Sequence, residues 1–394
     1  MTWVETTLGD FSPFAYGKGL PSTKRSPGSV PVYGSNGIVG SHNEPLVSES
    51  VVVVGRKGSV GEVHFAEKPS WVIDTAFYVK ETETADLRFA YYLLKTLPIR
   101  SSHDSAVPGL SRDFAHSLRI KVPDHRGQQR IGAVLATLDR QIELNEELSR
   151  TLESIAQTLF RSWFVDFDPV RVKMAGEKPV GMDDATAALF PDSMEDSELG
   201  DIPAGWRIGL LGDLCKLVMG QSPPGSAYNE EGIGLPFFQG RADFGERFPR
   251  RRVSSTEGKR KALAGEILVS VRAPVGDINQ ALEESVIGRG VAAVMHMSGS
   301  EAYSFSLLKS LGDTLEYYNG EGTVFGAINK ADFSAIKLVE PPGNVIAAFD
   351  EVCSPVNRQI RVLHDQTKSL VSVRDSLLPR LISGELRVPE DLVA

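Results

Sequence analysis

The chain has 394 residues, 41% of them hydrophobic and 24% charged, which leaves room for two or three domains of ordinary globular composition. The formal net charge is −9, yet residues 177–203 alone hold eight acidic groups against one lysine, so the balance does not exclude a basic face elsewhere. No apolar run approaches the roughly 20 residues of a membrane span, the N-terminus lacks a basic-then-apolar signal, and Cys215 and Cys353 stand far apart without metal-ligand spacing. A cytoplasmic protein with no disulfide framework and no zinc is expected.

Short runs punctuated by Gly, Pro, Ser and Asn open the chain. Residues 31–40 predict two short strands about a Ser35-Asn36-Gly37 turn, because Asn and Gly tolerate positive φ. The valines at 51–54 predict a buried strand, followed by a tight loop over 55–61, β-like runs over 62–65 and 72–79, and a short helix over 87–97. Between 129 and 163 the period changes. Ile131, Leu135, Leu138, Ile142, Asn145, Ser149, Leu152, Ala156, Leu159 and Trp163 fall at alternating steps of four and three, the seam of a coiled coil, with Leu148 and Ile155 widening the stripe. At ~1.5 Å per residue this is a rod of roughly 50 Å.

Pro169 ends helical order, and Asp166 and Asp168 beside aromatics read as a cap or surface pair rather than a metal site. Residues 174–205 have the composition of an acidic linker. A second set of elements then repeats the first: strand over 265–271, loop over 272–276, mostly strand over 286–297, helix over 304–311. The final helix carries Val356, Ile360, Leu363, Thr367, Leu370, Arg374, Leu377 and Leu381 on the same steps, with Gly384 as a stop. Pro355 either kinks a helix begun near Val345 or opens a fresh one capped by Ser354, and Ser-Pro favours the fresh start. The polar seam positions Asn145, Ser149, Thr367 and Arg374 are either a wet patch or groups that set register and partner.

The order of elements is written twice. Trp3 and Leu8-Gly9-Asp10 recur as Trp206 and Leu211-Gly212-Asp213, Ser59-Val60-Gly61 as Pro274-Val275-Gly276, Asp113-Phe114 as Asp332-Phe333, and Gln141-Ile142 as Gln359-Ile360. A period near 200 residues is too long for a solenoid and predicts two mixed α/β domains that each fold alone.

Catalytic chemistry is not legible. The chain has no GxxxxGK[ST] loop, no complete GxGxxG, no HExxH and no Asn-Pro-Pro-Tyr-like segment for an adenine amino group, so it is not expected to be an enzyme by itself. Binding chemistry remains. Residues 241–261 hold eight basic groups against three acidic ones, suited to phosphate or equally to a solvated loop. Candidate DNA-binding residues are Lys18, Lys24, Arg25, Arg56 and Lys57 in the first domain, and Gln221, Gln239, Arg241, Arg250, Arg251, Arg252 and Arg272 in the second. Arginine can reach a guanine edge with two hydrogen bonds, and glutamine can read adenine.

Four stretches carry a family resemblance: 31–40 (PVYGSNGIVG), 159–170 (LFRSWFVDFDPV), 196–206 (DSELGDIPAGW) and 377–388 (LLPRLISGELRV). With them the chain resembles the specificity subunits of type I restriction-modification systems over nearly its whole length. The resemblance implies an α+β protein: two target-recognition domains, 1–122 and 204–340, separated by an antiparallel coiled coil of a central helix (123–168) and a C-terminal helix (341–384), with an acidic linker at 169–203 and a tail at 385–394. It further implies double-stranded DNA as ligand, one half-site per domain, with the rod setting the spacer. Two modification subunits and restriction subunits are the implied partners, and S-adenosylmethionine, ATP and Mg are expected on those partners, none on this chain. A self-contained restriction or modification enzyme, or a coiled-coil assembly protein without DNA contact, are the alternatives.

Overall fold

A computed structural model describes residues 2–99, 109–319 and 326–389. They divide into two compact units, Met1–Glu146 with His364–Ala394, and Glu147–Leu363. Of the expected tail, residues 390–394 lie outside the described residues.

The first unit begins with β1 (Trp3–Thr7), α1 (Leu8–Phe11) and β2 (Ala15–Tyr16). It continues through β3 (Val30–Gly34), β4 (Gly37–His42), β5 (Val51–Gly55), β6 (Val63–Ala66), β7 (Trp71–Val72) and β8 (Ala76–Val79). Then come α2 (Leu87–Thr96), α3 (Arg112–Ser117), β9 (Arg119–Pro123) and the long α4 (His125–Phe164). One sheet has the order β2-β8-β5-β6 and a second β4-β3-β7, while β1 pairs with β9. The four valines of β5 are consecutive because both faces of the strand are covered. Val52 and Val54 join Phe11, Phe77, Phe89 and Leu93 in the main core, and Val51 and Val53 join Val72 and Ala76 on the other side. The helix α2 starts where the Asp86 side chain accepts from Phe89 N at 2.8 Å. The run expected over 72–79 divides into β7 and β8, since residues 73–75 turn between the two sheets.

The second unit adds α5 (Asp168–Met174), α6 (Asp184–Ala187), β10 (Met194–Glu195), β11 (Ile202–Pro203), β12 (Arg207–Leu210), α7 (Leu211–Leu214), β13 (Cys215–Met219), β14 (Tyr228–Asn229) and β15 (Leu235–Phe238). After these follow β16 (Ser254–Ser255), β17 (Lys261–Ala262), β18 (Ile267–Ser270), β19 (Ile278–Gln280), β20 (Ser285–Ile287) and β21 (Val291–His296). The unit closes with α8 (Glu301–Ser310), α9 (Gly312–Glu316), α10 (Lys330–Ser334), β22 (Lys337–Glu340) and α11 (Gly343–Ser383). Its sheets run β13-β21-β18-β19 and β14-β16-β15-β20-β17, with β12 on β22. The first of these repeats the order β2-β8-β5-β6 strand for strand. In both units the second sheet holds a parallel pair, Val32↔Trp71 with Tyr33↔Val72, and Phe237↔Val286 with Phe238↔Ile287.

Residues 169–203, expected as an acidic linker, are anchored instead. Phe190 is 1% exposed and stands edge-on to Trp163 at 5.2 Å. Lys173 Nζ donates to the carbonyls of Ala187 and Phe190, and β10 pairs with β11. Isolated apolar residues among many carboxylates carry this docking, which is why composition hides it. The aromatic run of 159–170 serves the same core: Phe160, Trp163, Phe164 and Phe167 are buried with Trp206, Tyr303 and Phe349. Cys215 and Cys353 are small members of that core, each thiol pushed up to about 12 by burial.

Within each unit the long helices run antiparallel. In the first, Ile131 and Leu135 of α4 share a core with Leu381 and Ile382 of α11, and Arg374 Nη1 meets Asp139 Oδ1 at 2.8 Å. In the second, Phe160 and Trp163 contact Phe349 at 5.7 and 5.9 Å. Every residue named for the α4 seam is buried or half-buried, whereas Leu148 and Ile155, expected to widen it, are exposed. The polar seam positions differ in kind. Arg374 bonds across helices, while Asn145, buried, accepts from Gln141 of its own helix at 3.0 Å.

Pro355 does not open a new helix. The α11 helix passes through it from Gly343. Proline removes one backbone donor, leaving the carbonyl four residues back unpaired within the helix. Here that residue is Glu351, and it and Pro355 are both exposed, on the solvent side of the helix where a freed carbonyl costs least.

Candidate nucleic-acid interface

Loops at one end of the β2-β8-β5-β6 sheet converge in the first unit. Gly17 N donates to Ala76 O and Lys18 N to Val72 O, while Arg56 N and Lys57 N both donate to Thr75 O. A Cβ on Gly17 would lie 2.1 Å from Ile73 O, so only glycine lets the 17–19 loop lie on the 71–75 loop. The 35–37 turn joins them, since a Cβ on Gly55 would lie 2.9 Å from Ser35 O.

The second unit builds the same junction with different residues. Gly220 N donates to Val291 O and Gln221 N to Ile287 O, and a Cβ on Gly220 would lie 2.1 Å from Gly288 O. The tight loops after β5 and β18 close alike, Gly61 N to Gly55 O at 2.8 Å and Gly276 N to Ser270 O at 3.0 Å. Lys57 forms an isolated antiparallel bridge with Gly109, and Arg272 forms one with Ala327. Thus Lys18 corresponds to Gln221, and Lys57, rather than Arg56, corresponds to Arg272.

The candidate residues fall into two groups. Lys18, Lys24, Lys57, Gln221, Gln239, Arg250 and Arg272 are exposed, and among the described residues none has a side-chain hydrogen bond or ion pair; Lys18 Nζ lies 5.9 Å from the Trp71 ring. The other group is engaged internally. Arg25 Nη1 donates to Val39 O at 2.6 Å and holds the β4 strand. The Arg56 guanidinium lies 5.0 Å from the Tyr16 ring and 5.6 Å from Phe77, and donates to Asp74 O. Arg241 pairs with Asp277 at 3.0 Å. Arg251 donates to Gly232 O and Gly234 O, and Arg252 to the buried Asp243 at 2.7 and 3.0 Å. The basic segment 241–261 is therefore a braced loop, and its cations are only partly open to phosphate.

Other cations at these loops were not among the candidates. Arg289, between Gly288 and Gly290, sits on the loop that meets Gln221, and its N–H donates to Ser222 Oγ. Arg112 lies 5.0 Å from the same Tyr16 ring as Arg56. Glycines flanking Arg289 were the available signal; for Arg112 only the fold supplies the neighbour. Among the described residues no group of three or more His, Cys, Asp or Glu could hold a metal ion, and no helix is long and apolar enough to cross a membrane.

The type I restriction modification DNA specificity domain matches residues 1–154. The MjaX type I restriction enzyme specificity subunit of Methanocaldococcus jannaschii is 30% identical over 278 residues, covering 69% of this chain and 60% of that protein. The HindI type I restriction enzyme specificity subunit of Haemophilus influenzae is 26% identical over 336 residues, 73% of each chain. The crystal structure of the type I restriction-modification S subunit from M. genitalium has the same fold, with a TM-score of 0.64 and 17% identity over 97% of this chain and 96% of that one. With a matching domain over residues 1–154, relatives along about seven-tenths of its length and a common fold, the chain is similar to the DNA specificity subunits of type I restriction-modification systems.

Proposed function

We propose that this chain reads a bipartite double-stranded DNA site, one half-site per unit, and performs no chemistry of its own. The observation that carries this is the double loop junction: one sheet order occurs twice, with an exposed cation, Lys57 or Arg272, at the same bridged position, while neighbouring positions differ, Lys18 against Gln221. Repeated cations suit phosphate, which looks alike at both half-sites, and divergent neighbours suit base edges, which do not. Lys18, Lys24 and Lys57 face DNA in the first unit; Gln221, Gln239, Arg250 and Arg272 do so in the second. Arg25, Arg56, Arg241, Arg251 and Arg252 shape the loops that present them.

The chain also acts as a scaffold for two modification subunits, which supply S-adenosylmethionine and adenine methyltransfer. Restriction subunits supply ATP- and Mg-dependent steps. No cofactor is assigned to this chain, and the working compartment is the cytoplasm. Sequencing methylated adenines in a strain with and without the chain, alongside copurification of untagged modification subunits, tests the proposal. Loss of one bipartite motif on deletion is expected; an unchanged methylome refutes the role.

A further inference from the structure

The loop that carries Arg250 and Arg252 is joined to both long helices of its unit by one buried arginine. Arg247 is 8% exposed, a state that charged side chains adopt only when paired. Its Nη1 donates to Glu153 Oε2 of α4, and Nη2 donates to Asn357 Oδ1 of α11 at 3.2 Å. Nε and Nη2 reach Gln280 Oε1 of β19 at 3.3 and 3.1 Å. The guanidinium carbon lies 3.3 Å from the centre of the Phe305 ring on α8. Planar, forked and stacked, this arrangement uses what arginine has and lysine lacks.

The backbone around Arg247 is fastened as well. Gln280 N donates to Arg247 O at 2.9 Å, and Asn279 exchanges two 3.0 Å hydrogen bonds with Gly245. From there Arg250 N donates to Asp243 O, and the Asp243 carboxylate takes Gln239 N and the Arg252 guanidinium. A short chain of contacts thus leads from the Glu153 carboxylate to Gln239, Arg250 and Arg252. In the first unit, among the described residues, Asp139 of α4 is held by Tyr92 of α2 and Arg374 of α11, none of them in a candidate DNA loop.

Resting on the DNA-reading role above, we propose that Arg247 is a positioning residue: it sets where segment 239–252 sits on the two helix segments of its unit, and so where this domain's half-site falls relative to those helices. Glu153, Gln280 and Asn357 are its three receptors. A lysine would reach one of them and leave the others unpaired.

The test uses the full-length chain assembled with its modification subunits and a random double-stranded DNA pool, sequencing the bound fraction. Wild type should select two half-sites at one fixed spacing. Arg247→Met should keep the first domain's half-site, reduce enrichment of the other by at least roughly fivefold, the cost of a single mismatched base pair, and admit more than one spacing. Arg247→Lys should fall between, and Glu153→Gln, which keeps shape and removes charge, should reproduce the effect if Arg247→Met does not fold by circular dichroism. Unchanged half-sites and spacing in the folded variants, or equal loss at both half-sites, overturns the positioning role. A wild-type pool without any bipartite motif instead removes the DNA-reading role on which it rests.

Discussion

Gly384, at the end of α11, lies against the indole of Trp3: a Cβ there would stand 2.7 Å from Trp3 Cζ2, and Gly384 has φ +80°. The first residues of the chain and the end of its last helix therefore meet in one core, beside Leu381, Ile382 and Val388. Two effects oppose any side chain at 384, a left-handed backbone and a steric overlap. Gly384→Ala should destabilise the first unit by about 1–3 kcal/mol, the usual cost of such strain. Gly176→Ala, where φ is +79° and nothing lies within 4 Å, should carry the backbone part alone. Urea unfolding of both variants separates the two, and equal losses would show that the Trp3 contact is irrelevant.

Lys57 and Arg272 should act as equivalent phosphate contacts. Neutralising either one, Lys57→Gln or Arg272→Gln, should weaken binding to all sequences alike and lower the salt slope by about one unit. Titrations of the assembled complex over a salt series read this directly. A slope unchanged in both variants would falsify the phosphate assignment.

Asp139 should be a structural keystone of the first unit. Its carboxylate accepts from Tyr92 Oη at 2.6 Å and Arg374 Nη1 at 2.8 Å, and burial together with this hydrogen bond raises the tyrosine's pKa far above its ordinary value. Arg374 keeps Asp375 as a second partner, which softens the loss of the first. Asp139→Ala should cost about 1–3 kcal/mol, mainly from the stranded phenol and guanidinium. A double-mutant cycle with Arg374→Ala should show coupling; strictly additive losses would mean that the pair contributes nothing.

Asp124 gives the start of α4 a pH dependence. Its carboxylate accepts from Thr2 N at 2.7 Å and Gly127 N at 2.8 Å, and these N–H groups hold its pKa below the ordinary carboxylate value. The folded pKa is depressed, so the stabilisation is present above the unfolded value near ~4 and is lost as pH falls through the folded one. Asp124→Ala should lower stability by about 0.5–2 kcal/mol at neutral pH, with the gap to wild type narrowing below about pH 4. Melting temperatures of both proteins across pH 2.5–7 are the check, and a constant gap over that range would contradict it.

Regular patterns of the fold were legible in the sequence. The repeat from Trp3 to Trp206, the seam from Ile131 to Trp163 and the hairpin about Ser35-Asn36 all rest on short-range rules: helical period, strand alternation and turn chemistry. Strand runs in both units follow because the same rules act twice, while the order of strands in each sheet came from the fold. The misreadings share a cause too. Local composition encodes neither case: a helix already packed against Phe160 and Trp163 continues past Pro355, and Val170 and Phe190 anchor the otherwise acidic 169–203 stretch.

By itself, then, the sequence determined the double architecture, its two long helices and the family resemblance. Tertiary structure alone decided which cations are free. Arg247, Arg250, Arg251 and Arg252 look interchangeable as text, yet one is buried among Glu153, Gln280 and Asn357, one is exposed, one holds two carbonyls and one holds Asp243. Their partners lie on other elements, in two cases on helices about a hundred residues away in the chain, and charge exerts its effect through proximity in space, which no local pattern encodes.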